Sequence, residues 1–282
     1  DELGILPPGD VLKCILALSP HRDVARTLLL KRFSQDRRLR GHNAGNMLLT
    51  TLSRYTGSFP RGAQALAEIL DAKGAILPVT TDSATLVAEL TDGSRIFGEE
   101  AIDIPRGTQR ERIREVFLVP HHSESISVYP PVLEAISRAD AILVGPGDLF
   151  TSIVPNLVVP GVSPALRETR ARLLYVVNIM TKFGETHGFS GPDFVQTLET
   201  LLDRRFDMVI HNARQPAPDV LEMYAQQKAD FVAFDAEDPF WSERTVMPSD
   251  LLDTTGGVVR HHARKLAALL QGIFDSIPSS GE

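Results

Sequence analysis

The chain has 282 residues and a formal net charge of -7, with 43% hydrophobic residues and a single cysteine. That length buries a full core without disulfides or metals, and the acidic balance excludes a general nucleic-acid binder, which carries a basic face or stripe. One cysteine, Cys14, rules out an internal disulfide and points to a reducing, cytoplasmic setting; the residue itself reads as a small buried hydrophobe on a helix.

The opening Asp1 to Ile5 leads straight into Leu6, Pro7, Pro8, Gly9 and Asp10, a turn that usually joins two elements already in place, so upstream residues are expected. Asp10 is then the N-cap of a first helix. From Gly9 to about Leu70 the spacing is helical: Val11, Ile15 and Leu18, then Leu48, Leu52 and Tyr55, then Leu66, Ile69 and Leu70. Asn43 or Ala44 begins the third helix. Between Ala75 and Phe117 the period drops to two, with Thr85, Val87 and Glu89 alternating against Leu86, Ala88 and Leu90, and Asp92-Gly93 as a hairpin turn.

Beyond Val132 the pattern becomes strand then helix. The runs Ala141 to Gly145, Leu173 to Ile179, Met208 to Asn212 and Asp230 to Phe234 are nearly continuous apolar stretches, as buried parallel strands are. The expected fold is α/β: a doubly wound, mainly parallel Rossmann-like sheet with helices on both faces, plus an N-terminal helical stretch and a small antiparallel hairpin unit. One domain spanning 1–282 accounts for it. Arg260 to Phe274 closes the chain as an amphipathic helix, and the polar tail 279–282 reads as disordered. No apolar run approaches the ~20 residues of a membrane helix.

In such sheets ligands sit beyond the carboxyl ends of the strands. After the run ending at Gly145 comes Pro146, Gly147, Asp148, Leu149, Phe150, Thr151, Ser152. Two glycines let backbone approach a ligand closely, a turn into a helix presents free N–H groups to an anion, and Thr151 and Ser152 add hydroxyls. The loop is neither the dinucleotide fingerprint nor a Walker loop, and a tight turn explains it equally well on local grounds. Gly41, His42, Asn43, Ala44, Gly45, Asn46 opens the third helix; an ordinary N-cap at Asn43 is its simplest reading. Asn178 to Thr186, and Asn212, stand directly beyond two further strands. The adjacent pairs His121-His122 and His261-His262 read as solvated or capping residues, and the run Lys31, Arg32, Asp36, Arg37, Arg38, Arg40 as a solvated helix end.

Taken together, GPGDLFTSIVPNL, NIMTKFGET followed by Gly188, GHNAGN, and the opening DELGILPPGD resemble the CofD/YvcK family. The resemblance covers essentially the whole chain in order. It implies that Gly145, Gly147, Thr151 and Ser152 receive a diphosphate, that His42, Asn43 and Asn46 line the nucleotide side, and that Asn178, Thr181, Glu185 and Asn212 border the pocket. Tyr224 and Arg260 match places where gluconeogenesis-type relatives carry a Tyr and an Arg suited to the nucleotide, a stacking ring and a phosphate-neutralising fork. A packed helix face and a helix start explain these two equally well. Relatives begin upstream with a glycine-rich strand-turn and a paired-aspartate loop, both absent here. Asp148 stands where relatives have a small hydroxyl residue; beside a phosphate loop its carboxylate either faces solvent or helps hold Mg2+.

Two functions follow from the resemblance. In the first, a nucleotide diphosphate, as a UDP-sugar, is bound by a regulator linking carbon metabolism (gluconeogenesis) to cell-envelope synthesis, with a regulatory protein partner and homo-oligomer formation both compatible. In the second, a 2-phospho-L-lactate transferase-type enzyme moves a phospholactyl group from a guanosine diphosphate adduct to a deazaflavin, with Mg2+ and the anion loop carrying most of the chemistry. The first ranks higher because GHNAGN, Tyr224 and Arg260 belong to the gluconeogenesis-factor branch.

Overall fold

In the structure, a computed structural model, residues 9–34, 39, 41–105, 107 and 109–277 are described. The opening turn before Gly9, the positions Asp36, Arg37, Arg38 and Arg40 of the mostly basic run, and the tail 279–282 lie outside the described residues. The chain divides into two compact units, one of 1–83 with 127–132 and one of 84–126 with 133–282.

The first unit is helical. α1 (Gly9–Leu18), α2 (Arg22–Leu29), α3 (Ala44–Thr56) and α4 (Phe59–Ile69) bury one apolar cluster of Leu12, Ile15, Leu16, Ala25, Leu49, Ala63, Leu66 and Ala67. Asn43 caps α3, its side chain accepting from Asn46 N at 2.7 Å. α3 and α4 meet closely at Gly62, where a Cβ would lie 2.5 Å from Ser53 N; glycine is therefore required there. Three expectations fail in this unit. Cys14 is exposed on α1, because Leu12, Ile15 and Leu16 take the buried face. Tyr55 and Ile69 also point outward. Asp10 sits inside the first turn of α1 rather than capping it, and pairs with Lys13 at 2.9 Å.

The second unit holds two sheets. β1 (Ala84–Leu90), β2 (Arg95–Phe97) and β3 (Ile113–Pro120) form an antiparallel sheet in the order β2-β1-β3, with α5 (Glu99–Asp103) after β2. α6 (Pro130–Arg138) leads into the parallel sheet, whose strands β4 (Ala141–Val144), β5 (Arg172–Val176), β6 (Met208–Asn212) and β7 (Val246–Ser249) lie in chain order. Between them run α7 (Val154–Leu157), α8 (Val162–Glu168), α9 (Gly191–Leu202) and α10 (Pro218–Gln226). A two-stranded ladder of β8 (Leu252–Asp253) and β9 (Arg260–His261) precedes α11 (Ala263–Asp275).

Leu173, Leu174, Tyr175 and Val176 are all buried, so both faces of β5 are covered, as a parallel sheet requires. Leu174, Val176 and Ile210 pack against Leu266 and Ile273 of α11, while Tyr175 on the other face stacks on Phe206. The α/β architecture is as expected, with one exchange of strands. Asp230 to Phe234 forms no strand and contributes only an isolated bridge, Met180 to Phe231. The fourth strand is instead β7, which carries Pro248 opposite His211; proline is tolerated on a strand at the sheet edge, where one side needs no ladder donor. Among the described residues, no single helix is long and apolar enough to cross a membrane.

A buried ion pair ties α9 to the segment before β7. Arg244 Nη2 donates to Glu199 Oε2 at 2.6 Å, with both side chains nearly inaccessible, while Arg244 Nη1 donates to Phe240 O at 2.8 Å. Removing one partner leaves a buried charge uncompensated. Arg244→Met should therefore lower the unfolding free energy by about 3–5 kcal/mol in urea denaturation, and adding Glu199→Gln should recover part of that loss.

Candidate functional site

The parallel sheet ends at a sharp turn. Gly145 follows β4 with φ +74°, and a Cβ there would lie 3.2 Å from Val176 O and 3.3 Å from Ile153 Cδ1. Only glycine suits both the left-handed backbone and the close approach to β5. The chain then enters a helical segment that starts with a wide π-turn, Leu149–Ile153, and runs on into α7. Ser152 N and Ile153 N both donate to Asp148 O, at 2.9 and 3.0 Å. The N–H groups of Gly147, Asp148, Leu149, Phe150 and Thr151 have no acceptor among the described residues, and the Asp148 side chain does not cap the helix. Five adjacent amides at the positive end of a helix form a ready anion cradle.

Two segments press against this loop. Asn178, just beyond β5, donates from Nδ2 to Gly147 O at 2.9 Å, while its Oδ1 is buried without a partner. Lys182 reaches Asp148 Oδ2 at 2.8 Å and Glu185 Oε1 at 2.9 Å, and also bonds Asp103 of α5. The Thr151 hydroxyl faces the Glu185 carboxylate at 3.3 Å. Burial pushes the Glu185 carboxyl up, and Lys182 opposes that; the ammonium, despite its own desolvation, is raised by Asp103, Asp148 and Glu185. Arg110, drawn toward Glu185 and held down by burial, donates to the carbonyls of Ile102 and Ala101.

Asp103, Asp148 and Glu185 lie close enough together to hold a cation, but the position is served by Lys182. The donor set as arranged fits an ammonium rather than Mg2+, so no chemistry at this site is assigned to a metal. The Asp148 carboxylate is one of three that share the Lys182 ammonium.

The remaining expected residues have other surroundings. Thr181 is buried, accepts from Asp230 N at 2.8 Å and donates from its own N to Asp230 O, fastening the loop after β5. Asn212 Oδ1 accepts from Leu251 N at 3.1 Å and its Nδ2 donates to Arg214 O at 2.7 Å, so its polar groups are occupied locally. The Tyr224 hydroxyl accepts from Val259 N at 2.8 Å. Arg260 is exposed on β9, opposite Asp253. Ser152 is exposed beside the buried Thr151. His42, Asn43 and Asn46 belong to the helical unit; His42 is exposed, and Asn46 Oδ1 is buried without a partner.

Sequence reasoning missed Lys182 and Asp103. Lys182 lies inside a segment singled out for its position, but nothing local marks it, and Asp103 is an ordinary acid in a short helix 79 residues away. It also missed His261, expected to be solvated or capping. His262 does cap α11, accepting from Lys265 N at 3.4 Å, but His261 is largely buried and its Nε2 donates to Val177 O at 3.2 Å, directly before Asn178.

Two tests follow. Burial brings the His261 imidazole down to about 4, with His211 adding to the effect and the bond to Val177 opposing it. The unfolded chain therefore takes up this proton near pH 6.5 while the folded one refuses it until about 4. Stability should fall as pH drops through that window, by at most about 3 kcal/mol from this group, and His261→Gln should flatten that part of the profile in denaturation curves. Lys182→Met leaves three carboxylates uncompensated; its melting temperature should drop in chelator and recover with millimolar Mg2+, whereas the unaltered protein should show no such dependence.

The chain is similar over most of its length to proteins already described. The family model described as 2-phospho-L-lactate transferase CofD matches residues 1–252. A putative gluconeogenesis factor of Thermotoga maritima is 38% identical over 278 residues, spanning 96% of this chain and 85% of that protein. The gluconeogenesis factor of Bacillus subtilis is 32% identical over 271 residues, spanning 96% and 83%. Against putative gluconeogenesis factors of a Nostoc species and Deinococcus radiodurans the chain spans 58% of the relative's length. A crystal structure of a protein from Bacillus halodurans superposes with a TM-score of 0.87 at 32% identity, covering 96% of this chain and 85% of the other. On this evidence the chain belongs to the CofD family, in the company of the gluconeogenesis factors.

Proposed function

We propose that this protein binds a nucleotide diphosphate, as a UDP-sugar, and acts in the cytoplasm as a regulator coupling carbon metabolism to cell-envelope synthesis. The observation that carries the reading is the row of five unbonded amides from Gly147 to Thr151 beyond β4. Such donors, at a helix start behind a glycine turn, suit the negative charge of a phosphate. Gly145 sets the turn, Gly147 keeps the approach open, and the exposed Ser152 adds a hydroxyl. The unpartnered Oδ1 of Asn178 is an acceptor for a ligand hydroxyl or N–H, and the Lys182 ammonium moderates the acidic surroundings. Tyr224 and Arg260, in the same unit as the loop, are assigned to the nucleotide. Nothing in this arrangement requires a catalytic base, which suits a sensor whose occupancy is read by a protein partner.

The name of the matching family model favours a second reading, transfer of a phospholactyl group to a deazaflavin. It ranks lower because the curated relatives most similar to this chain are gluconeogenesis factors.

Calorimetry with UDP-N-acetylglucosamine, guanosine diphosphate and a deazaflavin separates the two: the uridine ligand should bind and the deazaflavin should not. Turnover with the deazaflavin would reverse the order. At Gly147 a Cβ meets only ordinary contacts, 3.5 Å from Ser152 Cβ and Ile153 Cγ1, so Gly147→Val should fold normally while its branched side chain fills the cradle. Diphosphate affinity should drop by about 100-fold or more, equivalent to about 2.7 kcal/mol; an unchanged affinity would remove the loop from the site.

A further inference from the structure

The helical unit contains a cavity that the loop site does not use. It measures about 620 Å3 and opens where α3 ends and α4 begins, with Arg54, Ser58, Arg61, Thr81, Ser83 and Tyr129 among its lining residues. α3 has 13 residues and is therefore roughly 20 Å long, which sets this cavity a full helix length from the Asn43 cap and the GHNAGN segment. The two places are separate.

Charge distinguishes this cavity. Arg54 and Arg61 both line it and no Asp or Glu does, in a chain whose net charge is -7. Neither guanidinium has a carboxylate or carbonyl partner among the described residues, whereas Arg95, Arg114, Arg204 and Arg244 elsewhere are all paired. Both guanidiniums line the same cavity with no counter-charge among the described residues, so an anion there meets two unneutralised cations. The helix ends do not decide the matter: the carbonyl end of α3 and the amide end of α4 meet here with opposite partial charges. The arginines supply the net field, and the hydroxyls of Thr81, Ser83 and Tyr129 supply donors of the kind that surround phosphate oxygens. The volume exceeds that of a bare anion and suits a small organic molecule.

We infer that this cavity is a second anion site of the protein, taking the phosphate group of a small phosphorylated metabolite or free phosphate itself. Arg54 and Arg61 clamp the phosphate, and the hydroxyl-lined wall receives whatever is esterified to it. The site is independent of the diphosphate loop, since it shares no residue with it.

Calorimetric titration of the full chain with inorganic phosphate, glycerol phosphate and glycerol tests this. Both phosphates should bind and glycerol should not. Arg54→Gln and Arg61→Gln should each weaken phosphate binding by about ten-fold or more, and should do so equally in a Gly147→Val background, where the loop cradle is filled. Both arginines are exposed, so the variants should melt as the unaltered protein does. Tighter binding of glycerol phosphate than of phosphate assigns the site to an ester, and equal binding assigns it to the free ion. The inference is overturned if neither phosphate binds, if both arginine variants bind as the unaltered protein does, or if Gly147→Val alone abolishes binding.

Discussion

The turn at Gly145 is the constraint on which the candidate site rests. β4 pairs with β5 up to Val144 and Tyr175, and the next residue must reverse the chain against Val176 O. Positive φ and close backbone approach together admit only glycine. That reversal starts the following helix without a side-chain cap and spreads its first hydrogen bonds, both Ser152 and Ile153 returning to Asp148 O. Five amides, Gly147 to Thr151, are left without an acceptor among the described residues as a consequence. In most helices such groups are met by a capping side chain or water; here the fold declines the cap.

A cradle of amides attracts anions, and an acidic residue at its mouth would ordinarily fill or oppose it. Asp148 does neither, because Lys182 draws its carboxylate into a cluster with Asp103 and Glu185. The Asp148 charge is tied down by the segment after β5. The arrangement also uses Thr151, whose hydroxyl donates to Glu185, while Ser152 beside it is exposed.

Much of the fold was legible because burial on both faces writes itself as unbroken apolar runs, and β4, β5 and β6 are such runs. β7 was not, since Val246 to Ser249 is short, half-polar and interrupted by a proline that the sheet edge tolerates. The stretch Asp230 to Phe234 looked like a strand for the same reason the others did, but its residues serve Thr181, Met180 and the ring of His211. At the site, the loop and Asn178 could be found from strand ends alone. Lys182 and Asp103 could not: their pairing spans a long stretch of chain, and a lysine among glycine and threonine carries no periodic signal. Asn212, also at a strand's carboxyl end, has its side-chain amide engaged by Arg214 and Leu251.

Two side-chain amide oxygens, Asn178 Oδ1 and Asn46 Oδ1, are buried without a donor. Each costs on the order of 1–3 kcal/mol relative to a satisfied group, a large fraction of the stability of an ordinary domain. The other amide group of Asn178 is well used, holding Gly147 O, so its orientation is fixed and its oxygen cannot rotate away to find a partner. Asn46 is likewise held at the start of α3, where its own N–H is taken by Asn43. A chain shaped for stability alone would replace both with apolar residues of similar volume. Each of the two oxygens lies in a segment singled out by the sequence, NIMTKFGET in one unit and GHNAGN in the other, and each leaves an acceptor open in its own unit.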